Sequence, residues 1–411
     1  MEYLKEIIFY LIFKIATMIN KIKKVKNYHL LSVLILCLFW GLGFFFFCVV
    51  FNNQAMSNIS SNKAVQINPI KVNGKPFFPL GMYHTYFQLD LPKKIEAMQD
   101  MAAVGFNTIH ASCNDINEYN IFLDEAYRLG VYVITEFKGT EPLEVVAKFK
   151  DKPAVLGWSI ADDVGDHENS YQILELHKKI KAIDPKHFTY ISISGWSKKW
   201  DDYAHVADLI GGQSYPIGYP FKNRPQNLPN HLIEVNYVFN KGRTAADRSQ
   251  HPVIANLQTF SWKGSRFPTP SEVHNMTYQA LLSGVNGILF YTYEDQENRI
   301  KEHPDVWNRL KLVTAQINKM SPVLLQGTLT KLNTKWNDVI ANFWTYRNII
   351  YVIVINTSQT ETRQVSLSFP VQTKKLAKPL FPDFPSGMIF ENGTFSGLIK
   401  PEEVHVYQLS Q

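Results

Sequence analysis

The chain has 411 residues, of which 45% are hydrophobic and 13% are aromatic, and its formal net charge is +6. This composition excludes a disordered or low-complexity protein, and the length suits one large α/β domain with a small partner. Residues 1–29 contain six lysines and two glutamates, a net charge of +4, so the rest of the chain carries only +2. We therefore predict no nucleic-acid partner, because such a partner requires a concentrated basic patch.

The first distinctive segment is residues 30–51, a run of 22 residues without a charged side chain. Such a run is long enough to span a bilayer. A cleavable signal peptide is the alternative, but its apolar core is usually shorter and ends in small residues. The lysines of residues 1–29 precede the run, which predicts a cytosolic basic stem followed by a transmembrane signal anchor. The rest of this single-pass membrane protein would then lie on the extracytoplasmic or lumenal side.

Residues 52–65 are small and polar, which is typical of a flexible linker. Beyond them, short β-rich runs alternate with longer amphipathic stretches, the pattern of parallel βα units. The eight candidate strands are 77–84, 106–113, 131–137, 154–161, 188–194, 207–215, 252–260 and 287–293. They predict an α/β fold, a (β/α)8 TIM barrel over residues 66–322. A doubly wound open sheet is the alternative, but the glycine-rich phosphate loop that often follows its first strand is absent from the sequence.

The pattern changes in residues 323–411. Apolar and polar residues alternate with a period of two in VIANFWTYRNIIYVIVINTS, RQVSLSFP and EEVHVYQLS. This alternation predicts a small C-terminal antiparallel β domain, similar to a β-sandwich.

Cysteines and histidines show no metal-binding spacing. Two of the three cysteines lie in the apolar run, and Cys113 alone cannot form an internal disulfide. We predict no metal and no cofactor. Four Asn-x-Ser/Thr sequons, at Asn58, Asn275, Asn356 and Asn392, matter only in a host that glycosylates proteins.

Because the active site of a (β/α)8 barrel lies at the C-terminal ends of its strands, the residues there form a short list of candidates. They are His84, Glu136, Asp162, Asp163, Trp196, Tyr215, Gln258, Tyr293 and Glu294. Carboxylates and aromatic rings suit carbohydrate chemistry, since cleavage of a glycosidic bond needs an acid and a base or nucleophile. Structural roles stay open: the two aspartates could cap the next helix, Glu136 could pair with Lys138, and Glu294 could be a surface acid.

Three segments carry a family resemblance: residues 70–84 (IKVNGKPFFPLGMYH), 152–164 (KPAVLGWSIADDV) and 266–295 (RFPTPSEVHNMTYQALLSGVNGILFYTYED). They resemble glycoside hydrolases of the large clan with (β/α)8 barrels. The resemblance is closest to poorly characterised members whose fourth strand reads Gly-Trp-x-x-x-Asp-Glu-Pro. It covers about residues 67–411 and implies a barrel with a terminal β domain.

The resemblance also implies roles for individual positions. The acid/base that ends strand four matches Asp163, and the tyrosine of strand six matches Tyr215. The nucleophilic glutamate that ends strand seven is replaced here by Gln258, whose amide cannot form a glycosyl ester. Glu294 or Glu136 could take that role.

We therefore predict a membrane-anchored glycoside hydrolase-like protein that acts on an oligo- or polysaccharide. Asp163 is predicted to be the general acid, and Glu294 the base or nucleophile. The predicted substrate-binding residues are His84, Glu136, Asp162, Trp196, Tyr215, Gln258 and Tyr293. A catalytically inactive carbohydrate-binding barrel is the alternative, and a membrane scaffold is a third possibility without a motif behind it.

Overall fold

The computed structural model describes residues 64–85, 88–138, 140–219, 228–369, 376–382 and 384–410. The predicted stem and transmembrane anchor, and the linker up to residue 63, lie outside these residues. Within the described ranges, no helix is both long and apolar enough to cross a bilayer.

Three short strands come first in the described chain: β1 (Ala64–Gln66), β2 (Ile70–Val72) and β3 (Lys75–Phe77). Eight parallel strands then close into a barrel, as the alternating pattern predicts. They are β4 (Leu80–Thr85), β5 (Thr108–Ser112), β6 (Tyr132–Glu136), β7 (Val155–Val164), β8 (Phe188–Ile193), β9 (Leu209–Ser214), β10 (Val253–Gln258) and β11 (Gly287–Tyr291). Each strand pairs with its neighbour in chain order, and β11 pairs with β4 to close the barrel.

The barrel strands form because both of their faces are covered. All residues of β5 and β10 are buried, so neither strand shows the alternation of buried and exposed residues that a sheet with one solvated face would have. Ile70 of the β2–β3 hairpin belongs to the inner cluster together with Leu156, Leu209 and Ile254, which lie near the starts of their strands. The hairpin therefore covers the N-terminal end of the barrel, and the C-terminal end is left for a site.

Helices connect the strands and cover the outside of the barrel. They are α1 (Leu91–Val104), α2 (Ile116–Leu129), α3 (Pro142–Phe149), α4 (Ser170–Ile183), α5 (Trp200–Tyr203), α6 (Glu234–Ser249), α7 (Pro270–Leu282) and α8 (Pro304–Gln326). Local signals set their ends. Thr269 and Glu272 form a capping box before α7, with Pro270 at its first position. Gly105 ends α1 at a φ of 94°, a conformation that glycine adopts without strain.

The C-terminal region is an antiparallel β domain, as the period-two alternation predicts. Its strands are β12 (Thr328–Leu332), β13 (Val339–Tyr346), β14 (Ile349–Asn356), β15 (Arg363–Ser368), β16 (Leu376–Pro379), β17 (Ile389–Glu391), β18 (Thr394–Ile399) and β19 (Val404–Ser410). One sheet has the order β1-β12-β13-β14-β19-β16 and the other β15-β18-β17. Strand β1 includes residues 64 and 65, which the sequence analysis placed in the linker, and α8 continues to Gln326, beyond the predicted boundary at 322.

Asn275 of α7 joins the barrel to this β domain. Its Nδ2 donates to the backbone oxygens of Asn356 and Glu402, both at 2.9 Å, and its Oδ1 accepts from Gln279 at 2.8 Å. The side chain is fully buried, and Asn356 is buried as well. Two of the four sequons are therefore closed to glycosylation in the folded protein.

We expect Asn275→Ala to lower the free energy of unfolding by about 2–4 kcal/mol. The variant leaves two buried carbonyl oxygens without a hydrogen-bond donor, and each such loss costs about 1–3 kcal/mol. Urea unfolding of the full-length protein measures the change. Asn120→Ala, on the exposed face of α2, is the control and should stay within about 0.5 kcal/mol of the wild type. Equal stability of the two variants would contradict this role of Asn275.

Candidate active site

A cavity of about 770 Å³ opens at the C-terminal end of the barrel, and we call it the cleft. Four of the predicted site residues line it: Asp162, Asp163, Trp196 and Tyr215. Other lining residues include Tyr83, Gln213, Tyr219, Glu234, Phe260, Trp262, Lys263, Tyr291, Asp295 and Glu297. The cleft thus combines several carboxylates with a set of aromatic rings.

Strand β7 is irregular where it carries the two aspartates. Successive residues of a regular strand point to opposite faces, which would bring only one of the pair into the cleft. Here the register to β8 shifts twice between Ser159 and Val164, and Asp163 has a φ of 49°, in the left-handed region. Both carboxylates therefore line the same cavity. Left-handed backbone at a residue other than glycine is often found at functional sites.

The two aspartates differ in their surroundings. The hydroxyl of Tyr83 donates a hydrogen bond to Oδ1 of Asp162. Solvent in the open cleft reaches both aspartates, but protein atoms surround Asp162 on its other sides. This burial, together with the charge of Asp163, raises the pKa of Asp162 to about 7. Burial and the charge of Glu168 also raise the pKa of Asp163. Asp162 therefore keeps its proton to a higher pH than an ordinary aspartate does.

Polar side chains inside the barrel hold Tyr83 beneath Asp162. The ring of His110 lies 4.3 Å from that of Tyr83, and Nε2 of His110 lies 2.9 Å from the hydroxyl of Ser159. The Tyr190 ring packs 6.3 Å from Tyr83, and its hydroxyl bonds to Asn256 at 2.8 Å. The rings of His110 and Tyr190 thus pack against the ring of Tyr83 and hold it in place.

Asp295, beyond the end of β11, is a further carboxylate of the cleft. Its Oδ1 accepts backbone hydrogen bonds from Glu297 at 2.8 Å and Asn298 at 2.7 Å. Tyr291 hydrogen-bonds to Asp295. Burial raises the pKa of Tyr291, and the charges of Asp295 and Asp162 raise it further. Tyr291 is thus close to both carboxylates.

Glu234 also lines the cleft, from the first turn of α6, where it is buried and lies 3.5 Å from the Ser214 hydroxyl. Neither Glu234 nor Asp295 is among the site residues predicted from the sequence. A signal existed for Asp295, which directly follows the predicted Glu294. Glu234 had none, because it follows a long segment after β9 and does not end a strand.

The structure does not bring Glu294 to the cleft lining. Its Oε1 lies 3.0 Å from Nε of Arg299, and the same two residues form a short antiparallel bridge. An ion pair of this kind favours a structural role for Glu294.

Gln258 is likewise not among the lining residues. It is fully buried, and its Oε1 accepts from the backbone nitrogen of Ile217 at 2.8 Å. Its Nε2 donates to the backbone oxygens of Ile217 at 2.9 Å and Phe260 at 3.0 Å. The amide therefore braces the segment after β9 against the segment after β10.

Two other predicted residues, Glu136 and Tyr293, have other surroundings. Glu136, at the end of β6, is buried and lies 3.5 Å from Nζ of Lys138. The hydroxyl of Tyr293 donates to Asp100 of α1 at 2.6 Å, on the outside of the barrel. The side chain of His84 is outside the part of the structure that is described.

Aromatic side chains form one side of the cleft. Trp262 packs edge-on against Phe260, with ring centroids 4.9 Å apart, and its Nε1 donates to the backbone oxygen of Tyr215 at 3.1 Å. The Tyr215 hydroxyl is buried and has no hydrogen-bond partner among the described residues. Burial raises the pKa of Tyr215, so its hydroxyl keeps a proton that it can donate to a ligand.

The described residues contain no group of three or more His, Cys, Asp or Glu side chains placed to hold a metal ion.

No protein-family model matches the chain, and no curated protein matches it by sequence. Solved structures match it by fold. A protein described as a glycoside hydrolase aligns over 86% of this chain and 97% of its own, with 15% identity and a TM-score of 0.59. A glycoside hydrolase family 5 protein from Bacteroides vulgatus aligns over 82% of this chain and 90% of its own, with 13% identity and a TM-score of 0.56.

The α-amylase of Geobacillus thermoleovorans, solved with acarbose, aligns over 81% of this chain and 98% of its own, with 12% identity and a TM-score of 0.55. At these identities the likeness establishes the fold. The chain has a (β/α)8 barrel of the kind found in glycoside hydrolases.

Proposed function

We propose that this protein is a glycoside hydrolase that cleaves an oligo- or polysaccharide in the cleft. The observation that carries the proposal is the pair Asp162 and Asp163 at the C-terminal end of the barrel, where the pKa of Asp162 is about 7. A carboxyl group that keeps its proton near neutral pH can protonate the leaving oxygen of a glycosidic bond.

Within this proposal Asp162 is the general acid. The role predicted from the sequence for Asp163 fits Asp162 better, because the pKa of Asp162 is raised to about 7. The hydrogen bond from Tyr83 holds this carboxyl group in position. Asp163 then acts as the neighbouring charge that helps to hold the proton on Asp162.

The second carboxylate of the proposal is Asp295. Glu294, to which the sequence analysis gave this role, is paired with Arg299. Asp295 lines the cleft beside Tyr291, and backbone N–H groups hold its carboxylate in place. It would act as the base or nucleophile.

Replacing Tyr83 with phenylalanine should move the alkaline limb of the pH profile to higher pH. The Tyr83 hydroxyl donates to the ionised form of Asp162, so its loss disfavours that form and raises the pKa of Asp162. One hydrogen bond to a charged group corresponds to about one pH unit. The measurement is kcat/KM against pH. Tyr190→Phe, which removes the bond to Asn256, is the matched control and should leave the limb in place. A shift to lower pH in Tyr83→Phe would contradict the assignment.

A carbohydrate substrate is supported by the aromatic lining and by the structural neighbours. One neighbour was solved with acarbose and another with maltotriose. Sugar rings pack their C–H faces against aromatic side chains, and Trp196, Tyr215 and Trp262 offer such surfaces in the cleft.

We also propose that residues 30–51 anchor the protein in a membrane, with the barrel on the extracytoplasmic or lumenal side. The support is the uncharged run and the lysines that precede it. Protease added to the outside of intact cells or sealed vesicles should release a fragment that begins near residues 52–65. A barrel that stays protected under these conditions would contradict this topology.

A carbohydrate-binding barrel without catalysis is the second candidate. It is favoured by Gln258, which stands where the resemblance implies a nucleophile and whose amide is committed to backbone groups.

The two candidates are separated by incubating the full-length protein, purified in detergent, with a panel of oligo- and polysaccharides. Released reducing ends and ligand binding are both measured. Hydrolysis by the wild type that is lost in Asp162→Asn supports the glycosidase. Binding of a glycan by both proteins without hydrolysis of any would establish the binding barrel instead.

A further inference from the structure

A second surface cavity lies between the barrel and the β domain. It consists of two spaces of about 580 Å³ and 410 Å³ that share the residues Ile233, Asn236, Asn240 and Asn337. We call the combined space the lateral groove.

Two aromatic rings connect the cleft to the lateral groove. Trp196 lines the cleft, and Tyr237 lines the groove. The rings stack at a centroid distance of 6.2 Å and an interplanar angle of 29°. Helix α6 also contacts both spaces, because Glu234 lines the cleft one turn before Tyr237. The stacked rings of Trp196 and Tyr237 thus place one ring in each space, and Tyr237 is 43% exposed.

The floor of the groove is a chain of amides. Nζ of Lys331 donates to Oδ1 of Asn240 at 2.7 Å, and Nδ2 of Asn240 donates to Oδ1 of Asn236 at 2.8 Å. Nδ2 of Asn236 in turn donates to the hydroxyl of Ser283 at 3.1 Å. Each amide keeps a further N–H and a further lone pair, so the floor is held in position and can still bind hydroxyl groups.

The charges of the two spaces are opposite. The groove is lined by one acid, Asp201, and by four lysines: Lys198, Lys241, Lys331 and Lys335. None of these lysines forms an ion pair within the described part of the chain. The cleft is lined by five acids and by one lysine, Lys263, the acids being Asp162, Asp163, Glu234, Asp295 and Glu297. A ligand that lies along both spaces is expected to carry its negative charge on the part in the groove.

We propose that the lateral groove binds an acidic polysaccharide, one with carboxylate or sulfate groups, and leads it over Tyr237 and Trp196 to the cleft. The inference rests on the proposed function and specifies its substrate class. The acidic units lie against the groove lysines, so an acidic polysaccharide binds in the groove whether or not a unit of it enters the cleft.

The test measures binding of polygalacturonate and of dextran, the neutral probe, by calorimetry at low and high salt. The protein is full-length Asp162→Asn in detergent, so that hydrolysis does not consume the probe. We expect polygalacturonate to bind more tightly than dextran and to weaken with salt. Adding Lys331→Gln and Lys335→Gln together should weaken polygalacturonate binding about threefold to tenfold, since exposed charge pairs contribute about 0.2–1 kcal/mol each. Because two of the four groove lysines remain, the salt dependence should fall by about half.

Further variants separate the groove from general surface charge. Tyr237→Ala should weaken polygalacturonate binding about tenfold, as expected for an exposed aromatic anchor. Lys179→Gln, an exposed lysine of α4 outside the groove, should change nothing. Thermal melts identify any variant that has lost its fold, and Tyr237→Leu replaces Tyr237→Ala if needed.

Equal affinity for dextran and polygalacturonate, or unchanged binding in the lysine double variant, would overturn the proposal. An equal loss in Lys179→Gln would do the same. These outcomes are distinct from failure of the proposed function. If the groove binds polygalacturonate but the wild type hydrolyses no glycan, the glycosidase proposal is refuted and the groove proposal stands. If the wild type hydrolyses a glycan at a rate that the groove variants do not change, the glycosidase proposal stands and the groove proposal is refuted.

Discussion

Asp162→Asn is expected to reduce hydrolysis of substrates with poor leaving groups by about a hundredfold to ten-thousandfold, the usual contribution of a general acid. Asparagine keeps the shape of the side chain and can accept the hydrogen bond from Tyr83, but it has no proton for the leaving oxygen. Substrates with good leaving groups need little protonation, so their loss should be far smaller. The measurement is kcat/KM for the two classes of glycoside. Asp151→Asn, on an exposed turn, is the control.

The dependence of wild-type kcat/KM on pH should report the ionisation of Asp162. Activity depends on the protonated form of Asp162, so it should fall as pH rises through about 7. Asp163→Asn removes a charge that raises this pKa, so the alkaline limb of the profile should move to lower pH. At its optimal pH this variant should lose less kcat/KM than Asp162→Asn does. A larger loss in Asp163→Asn than in Asp162→Asn would instead return the acid role to Asp163.

Loss of folding can be separated from loss of chemistry. The folded pKa of Asp162 lies above the value of about 3.9 for an unfolded chain, so ionisation of Asp162 costs stability as pH rises from about 4 to about 7. Asp162→Asn removes that cost. We therefore expect the variant to melt no lower than the wild type above pH 7, and a lower melting temperature there would contradict the raised pKa.

Gln258→Glu is expected to destabilise the protein by about 3 kcal/mol or more at pH 8 and to create no new nucleophile. The Nε2 of Gln258 donates to two backbone oxygens, and a carboxylate in its place would face both of them as a buried charge. Because the pKa of this buried glutamate would exceed the unfolded value of about 4.3, the loss should grow as pH rises and shrink near pH 4. Thermal melts at the two pH values measure it.

Gln258→Met is the matched control for this experiment. It also removes the hydrogen bonds but adds no charge, so its cost should not change with pH. A Gln258→Glu protein that melts like the wild type at pH 8 would show that the amide is not needed as a brace. Trapping of a sugar on that glutamate would show that the side chain reaches the cleft.

The sequence by itself predicted the architecture of the described residues. The eight barrel strands and the β domain could be predicted from the spacing of apolar residues. That spacing depends on whether one face or both faces of a strand are buried. The capping box of Thr269 and Glu272 is equally local, since it lies within four consecutive residues. The prediction of a transmembrane anchor at residues 30–51 also rests on a local pattern, an uncharged apolar run.

The rule that barrel sites lie at strand ends also located the cleft, but it could not select its side chains. Asp162, Asp163, Trp196 and Tyr215 line the cavity, while Gln258 is turned into backbone hydrogen bonds. Which way a side chain turns at the end of a strand depends on neighbours from other strands, and no spacing in the sequence records them.

Composition and periodicity therefore determined the fold class and the end of the barrel where chemistry is possible, since both depend on local patterns of burial. Only the tertiary structure decided that a distorted β7 directs two adjacent carboxylates into one cleft. It also decided that Asp295 and not Glu294 lines that cleft, and that α6 brings Glu234 to it. The physical reason is that pKa values, ion pairs and cavities arise from groups far apart in the chain, which only the closed barrel brings within a few ångströms of one another.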